Sequence, residues 1–159
     1  MMRHCLARLR WARYGEFIFT QSRRERRAML DPERLNNITG IILHESIRIH
    51  REIGPGILES VYEAVLAKRL SQRGLLVQRQ RIVPLVIDGE DFGEAFRIDL
   101  FVENCIVVEL KSVEQLHPVH FKKTQTYLRL LGLPLGLLIN FGEPTLKEGY
   151  HRIVNGLKE

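Results

Sequence analysis

Residues 97–112, RIDLFVENCIVVELKS, constrain this chain more than any other stretch. They read as two short apolar strands separated by a turn, yet Asp99, Glu109 and Lys111 interrupt the apolar pattern. Side chains alternate across a strand. Ile98, Leu100 and Val102 therefore share one face, and Arg97, Asp99 and Phe101 the other. In the second strand Ile106, Val108 and Leu110 share a face, and Val107, Glu109 and Lys111 oppose them. A hairpin must bring the two apolar sets to the same side, because a slip of one residue turns every side chain over. A three-residue connection, Glu103-Asn104-Cys105, meets that demand by pairing 102 with 106, 100 with 108 and 98 with 110. Asn104 suits the left-handed backbone such a connection needs. The same register sets Asp99 across from Glu109 and Arg97 across from Lys111.

Two carboxylates directly opposite each other, with Cβ atoms ~5 Å apart, repel when both are ionised. They make a poor structural pair and a good seat for a hard divalent cation such as Mg²⁺. Lys111 adds positive charge beside that seat, placed to hold an attacking water or to offset charge on a phosphate. The plainer reading is a strand with one wet face, which also alternates apolar and charged residues. The rest of the chain decides between them.

The expected order of elements is αα–βββ–α–β, an α/β class with a mixed sheet flanked by helices. Asp31 caps a helix that has Pro at its first position and Leu35, Ile38, Ile42, Ile49 and Ile53 along one stripe. Gly54 and the GPG sequence end it. ILESVYEAVLAKRLSQRG forms a second helix with Leu58, Val61, Tyr62, Val65, Leu66 and Leu70 on one face. LLVQRQRIVPLVI reads as a strand or bent strand pair, and DGEDFG as a turn cluster. HPVHFKKTQTYLRLLG reads as a helix, LPLGLLINFG as a strand buried on both faces, and TLKEGYHRIVNGL as a short closing element.

The chain's 159 residues suit one domain, with 45% apolar and 27% charged residues. The net charge of +5 suggests nucleic acid until its distribution is read. Residues 1–30 hold eight Arg and two Glu, which leaves 16 basic and 17 acidic residues for the remainder. The basic character belongs to a leader, expected to lie outside the core, and residues 31–159 form the domain. The leader reads as a basic arm, as a transit-like segment, or as translation begun ahead of Met29. Cys5 and Cys105 lack metal-ligand spacing, and neither a signal peptide nor a membrane span is visible. These features point to a reduced, cytoplasmic compartment with free thiols.

GPGILESVY adds a second candidate cluster. Gly56, Glu59 and Tyr62 stand in a G-x-x-E-x-x-Y arrangement, and Glu59 and Tyr62 share a helix face. First-turn helix-dipole complementarity would equally explain Glu59, and core packing Tyr62. GPGILESVYEAVL, RIDLFVENCIVVELKSVEQLHPVH and YLRLLGLPLGLLINFG together resemble the GxxExxY family of the PD-(D/E)XK nuclease-like superfamily, over residues 34–156. The resemblance implies a restriction-endonuclease-like core. It makes Glu59 the acidic residue of the first core helix, Asp99 the motif aspartate, Glu109 and Lys111 the E-x-K pair, and Tyr127 the tyrosine of a Q-x-x-x-Y motif. Ile98 stands where the superfamily name has Pro. Lys123 stands where the glutamine belongs, and Gln125 lies about 200° further around the helix.

The implied chemistry is metal-dependent cleavage of phosphodiester bonds in DNA or RNA. Asp99, Glu109 and the Leu110 carbonyl would hold Mg²⁺ or Mn²⁺, with Glu59 supporting a second ion or its waters and Lys111 addressing the attacking water. Tyr62, His120, Lys123 and Tyr127 are the expected nucleic-acid contacts, mainly to backbone because no base-reading motif is visible. His117 and His120 lie three apart, but without a third His or Cys nearby they argue against zinc. Two other functions remain open from sequence: a binding module of the same fold without turnover, and a hydrolase of small phosphate esters.

Overall fold

The computed structural model describes residues 23–88 and 90–156. Most of the leader, with Cys5, lies outside the described residues. The elements run α1 (Arg23–Met29), α2 (Pro32–Ile53), α3 (Glu59–Gln72), β1 (Val77–Ile87), β2 (Glu90–Val102), β3 (Ile106–Lys111), α4 (Pro118–Leu131), β4 (Leu135–Asn140), α5 (Leu146–Gly149) and β5 (Tyr150–Val154). Met29 packs into the main core, so the end of the segment read as leader contributes to it.

Local chemistry sets the helix ends. The Asp31 side chain accepts the Arg34 N–H at 3.1 Å, and Pro32 opens α2. Gly54, at φ +77°, closes α2 and donates its N–H to the His50 carbonyl at 2.9 Å. The loop to α3 is held by Tyr62, whose hydroxyl donates to the Gly54 carbonyl at 2.5 Å and accepts the Ile57 N–H at 3.3 Å. Its ring is fully buried and stacks on Phe141 with centroids 4.3 Å apart. These contacts keep Ile57 outside the helix and bring Glu59 to its first position.

One five-stranded sheet has the order β1-β2-β3-β4-β5. β3 and β4 are parallel and the other neighbours antiparallel, which makes the sheet mixed. The closing segment supplies the edge strand β5, so the sheet exceeds the strand set read from the sequence. The first hairpin closes at Ile87↔Glu90 instead of opening into a wide DGEDFG turn. Asp88, at φ +52°, provides the left-handed backbone a tight reversal needs. Residues 106–110 and 135–140 are buried throughout, because helices cover both sheet faces. Leu100, Val102, Ile106, Val108, Leu135, Leu137 and Ile139 pack with α2 and α3, while Phe101 and Val107 pack with Tyr127 and Leu128 of α4. Cys105 is buried and its thiol is free, with burial pushing its pKa up to about 11.

The C-terminal end of β4 fastens the chain just after β3. The Phe141 N–H donates to the Lys111 carbonyl at 2.7 Å. The buried Asn140 amide accepts the Val113 N–H at 3.0 Å and donates to the Val113 carbonyl at 2.8 Å. Gly142 then passes so close that a Cβ there would stand 2.2 Å from the Val113 oxygen. Backbone on both sides cannot yield without moving Lys111 and Ser112. Gly142→Ala is therefore expected to destabilise the fold by about 1–3 kcal/mol, read as a lower midpoint in urea unfolding. An unchanged midpoint would mean that this junction is looser than described.

Candidate active site

The parallel β3–β4 ladder pairs Glu109 with Leu138 and Lys111 with Asn140, which fixes the C-terminal end of β3 in the middle of the sheet. β2 approaches from the other side with the register expected from the sequence: Leu100↔Val108, Phe101↔Val107 and Val102↔Ile106. The ladder then stops. The carboxylate of Asp99 accepts the Leu110 N–H at 2.8 Å, so a side chain serves β3 where the strand backbone has left it. The β1–β2 ladder is also interrupted at this level, where Gln80 sits at φ +50° between the pairs Arg79↔Leu100 and Arg81↔Ile98.

Two sequence expectations change as a result. The 99–109, 98–110 and 97–111 pairs are not formed, so Asp99 does not stand opposite Glu109 in the ladder but meets β3 through its carboxylate, on the Leu110 N–H. Ile98 joins the cluster of Phe101, Val107 and Tyr127 instead of the face of Leu100, because strand alternation fails at the break. Arg97 pairs with Glu94 at 3.1 Å.

Glu109 is completely buried. Its Oε1 receives the Lys123 ammonium at 2.6 Å and the Lys111 ammonium at 2.9 Å. Its Oε2 is buried and has no hydrogen-bond partner among the described residues. A buried carboxylate oxygen left unpaired is costly and calls for an explanation. The Lys111 ammonium donates to the Leu110 carbonyl at 2.6 Å and forms ion pairs with Glu109 Oε1 at 2.9 Å and Glu59 Oε2 at 3.5 Å. Glu59 comes from the start of α3 and accepts the Ser112 N–H at 3.2 Å through Oε1. The Ser112 hydroxyl donates to the Ile57 carbonyl at 2.7 Å, which ties the α3 loop to the end of β3. Burial raises the Asp99 pKa to about 6, Glu109's charge adds to the rise, and the Leu110 N–H and the two lysines oppose it.

α4 brings Lys123 and Tyr127 beneath the site. Burial disfavours the charge on Lys123, but the hydrogen bond and charge of Glu109 outweigh it and raise its pKa. Gln125 faces away and donates to Asn155 at 3.3 Å. Tyr127 is fully buried, its hydroxyl donating to the Arg97 carbonyl at 3.0 Å and its ring meeting Phe96 edge-on. Tyr62 is equally buried. Neither tyrosine presents a surface to a nucleic acid, which corrects the expectation of contacts there; both hold backbone near the site. His120 is half-buried at the start of α4, and its Nδ1 accepts the His117 N–H at 3.1 Å. Burial, with the charges of Lys111 and His117, lowers its pKa.

Open clefts flank the cluster. One, of about 510 Å³, is lined by Ile57, Glu59 and Ser112 among others. The other, of about 780 Å³, is lined by Val113, His117, His120 and Glu143 among others.

Sequence reasoning missed several supports. Glu63, one turn after Glu59 on α3, is buried, pairs with Arg79 at 2.8 Å and accepts from the Gln80 amide. That amide also faces Asp99 Oδ1 at 3.5 Å. The four-residue spacing of Glu59 and Glu63 was a usable signal, whereas Gln80 in a polar run gave none. A lone Asn inside the apolar run of β4 was the signal for Asn140.

Among the described residues no three His, Cys, Asp or Glu side chains are gathered as a ready cation cage. The oxygens that fit a divalent ion are fewer: unpaired Glu109 Oε2, weakly engaged Asp99 Oδ1, and the Leu110 carbonyl, whose second lone pair is available beside Lys111. Hard oxygens of this kind suit Mg²⁺ or Mn²⁺, which keep several waters.

A family model for the PD-(D/E)XK nuclease superfamily matches residues 36–153. The chain belongs to that superfamily, and its mixed sheet with flanking helices is the restriction-endonuclease-like core. No curated protein and no solved structure matches the chain. Among the described residues no helix is long and apolar enough to cross a membrane.

The raised Asp99 pKa gives a pH dependence of known sign. An unfolded Asp titrates near 3.9. Above pH 6 the folded chain holds a carboxylate it would sooner protonate, so ionised Asp99 costs stability; below about pH 4 the cost vanishes. With a chelator present, Asp99→Asn should therefore stabilise the chain at pH 7–8, by roughly 1–3 kcal/mol, while still accepting the Leu110 N–H. The gain should shrink as pH falls from 6 towards 4 in denaturant melts. A destabilised variant at pH 8 would contradict the assigned environment.

Proposed function

We propose that the chain is a divalent-metal-dependent nuclease that hydrolyses phosphodiester bonds of DNA or RNA. The observation that carries this reading is the buried, unpartnered Oε2 of Glu109, a carboxylate whose other oxygen holds two lysines and whose charge acts on Asp99. A core designed for stability alone would not leave that oxygen unpaired. Membership of the nuclease superfamily supports the reaction class.

Asp99 and Glu109 would hold Mg²⁺ or Mn²⁺, together with the Leu110 carbonyl. The ion would supply Lewis-acid charge for the scissile phosphate. Lys111 is fixed by Glu59, Glu109 and the Leu110 carbonyl, so its ammonium is aimed with little rotational freedom. From there it orients the attacking water and offsets negative charge as it grows on the phosphate. Glu59 is 44% exposed at its side chain, the most open acid of the cluster, and is placed to order solvent at the cleft mouth. His120 lines the neighbouring cleft and is placed for a phosphate contact. Backbone recognition suits this site, which carries no base-reading element.

Lys123 favours a second reading. Its ammonium occupies Glu109 Oε1, where the superfamily motif would offer a neutral amide. A binding module that has kept the fold without turnover would tolerate that. A hydrolase of small phosphate esters is the third possibility.

Incubation with linear, circular and single-stranded DNA, with RNA, and with bis-p-nitrophenyl phosphate separates these readings when done with and without Mn²⁺. The nuclease reading expects Mn²⁺-dependent cleavage of nucleic acid, reduced roughly 100-fold or more by Asp99→Asn, Glu109→Gln or Lys111→Ala. Mn²⁺ should also raise the wild-type melting temperature by mass action. Asp99→Asn should lose both the thermal response and cleavage, whereas Lys111→Ala should keep the thermal response and lose cleavage. Binding of nucleic acid without any turnover would favour the module, and turnover of the small ester alone the third reading.

A further inference from the structure

The cluster around Glu109 is unusual in how its oxygens are already spent. Five charged side chains share the site: Lys111 and Lys123 both reach Glu109, Lys111 also reaches Glu59, and Asp99 feels the charge of Glu109 and of both lysines. Lys123 lies 2.6 Å from Glu109 Oε1, and Lys111 lies 2.9 Å from the same atom. Glu59 is engaged through both oxygens, by the Ser112 N–H at 3.2 Å and by Lys111 at 3.5 Å. Asp99 Oδ2 is taken by the Leu110 N–H at 2.8 Å. Among the described residues two carboxylate oxygens remain for a cation: Glu109 Oε2, which has no partner, and Asp99 Oδ1, which has a 3.5 Å contact with Gln80.

That inventory suffices for one ion that keeps most of its waters and is too small for two. The charges agree. With both lysines protonated the five side chains sum to one negative charge, which a single divalent ion overcompensates. A second would stand against two ammonium groups at close range. The side chain that makes the difference is Lys123. Lys111 also serves the Leu110 carbonyl and Glu59, but Lys123 reaches the site only through Glu109, lying over the Tyr127 ring 5.5 Å from its centroid. Tyr127 is itself immobilised by its bond to the Arg97 carbonyl, so the lysine has a fixed wall behind it.

We propose that Lys123 is a built-in counter-ion of Glu109 that takes the place of a second divalent cation, limiting the site to one ion and weakening its hold on that ion. This rests on the metal-dependent reading of the same site and specifies how many ions it takes. It makes Lys123 a positioning residue: it holds the Glu109 carboxylate so that Oε2 alone faces the incoming ion.

The test is direct binding of Mn²⁺ to the full chain, followed by the electron paramagnetic resonance signal of free Mn²⁺ and by calorimetry. Wild type should bind one ion per chain. Lys123→Met and Lys123→Gln should each bind the first ion at least tenfold more tightly. Gln matters because its amide still donates to Glu109 without carrying charge, so it keeps the question answerable if Met unfolds the protein. Lys122→Met removes the same charge from the exposed face of the same helix and should leave affinity within threefold of wild type. Two ions per wild-type chain, or Lys123 variants that bind like Lys122→Met, would overturn the counter-ion role and leave the metal-dependent reading standing. A wild-type chain that binds no Mn²⁺ would overturn both.

Discussion

The structure turns on one buried carboxylate. Glu109 sits in the central strand of the sheet, inaccessible to solvent, and is tolerable there only because Lys111 and Lys123 reach its Oε1 from two elements. Breaking a buried ion pair by removing one partner typically costs about 3–5 kcal/mol, because the other charge stays buried. The fold therefore has to deliver both lysines to one atom. β3 delivers Lys111 by strand alternation, and α4 delivers Lys123 by packing on the opposite sheet face from α2 and α3. Even so, one oxygen is left without a partner among the described residues. The remaining site follows from that remainder: Asp99 raised towards neutrality beside it, Glu59 restraining Lys111, and clefts on either side.

Delivering Asp99 requires the sheet to be imperfect. A regular β2–β3 ladder would satisfy the Leu110 N–H by backbone and leave the carboxylate merely lying on a sheet face. β2 pairs with β3 only from Leu100 onward, and the Asp99 side chain replaces the missing backbone partner. Gln80 in the neighbouring strand adopts left-handed backbone at the same level, and its amide lies between Glu63 and Asp99. Backbone of this kind in a non-glycine residue persists only where surrounding contacts impose it, and such positions concentrate at functional sites.

The central hairpin was legible in the sequence because alternation leaves little choice. The register its apolar residues specify holds from Leu100↔Val108 to Val102↔Ile106 and stops short of Asp99. The helices were legible for the same reason, with Asp31, Pro32 and Gly54 marking their ends. What could not be read depends on tertiary contacts without local signature. The break at Asp99 moved Ile98 to the other core, which no alternation rule predicts. Tyr62 and Tyr127 looked like surface contacts because motifs name them, but both bury their rings and use their hydroxyls on backbone carbonyls. Lys123 was visible as a departure from a motif; its ion pair with Glu109 was not, because strand and helix meet there only after folding.

In the proposed nuclease, Asp99 and Glu109 would hold the divalent ion. Fe²⁺ can stand in for Mg²⁺ or Mn²⁺ at oxygen-rich sites. With ascorbate and peroxide it generates radicals that cut the polypeptide near the bound ion. Mass spectrometry of the fragments then locates the site. Cuts are expected only in the neighbourhoods of residue 99 and residues 109–111, suppressed by excess Mg²⁺ and absent in Glu109→Gln. Cuts clustered at His117 and His120 instead, or a pattern unchanged by Glu109→Gln, would contradict it.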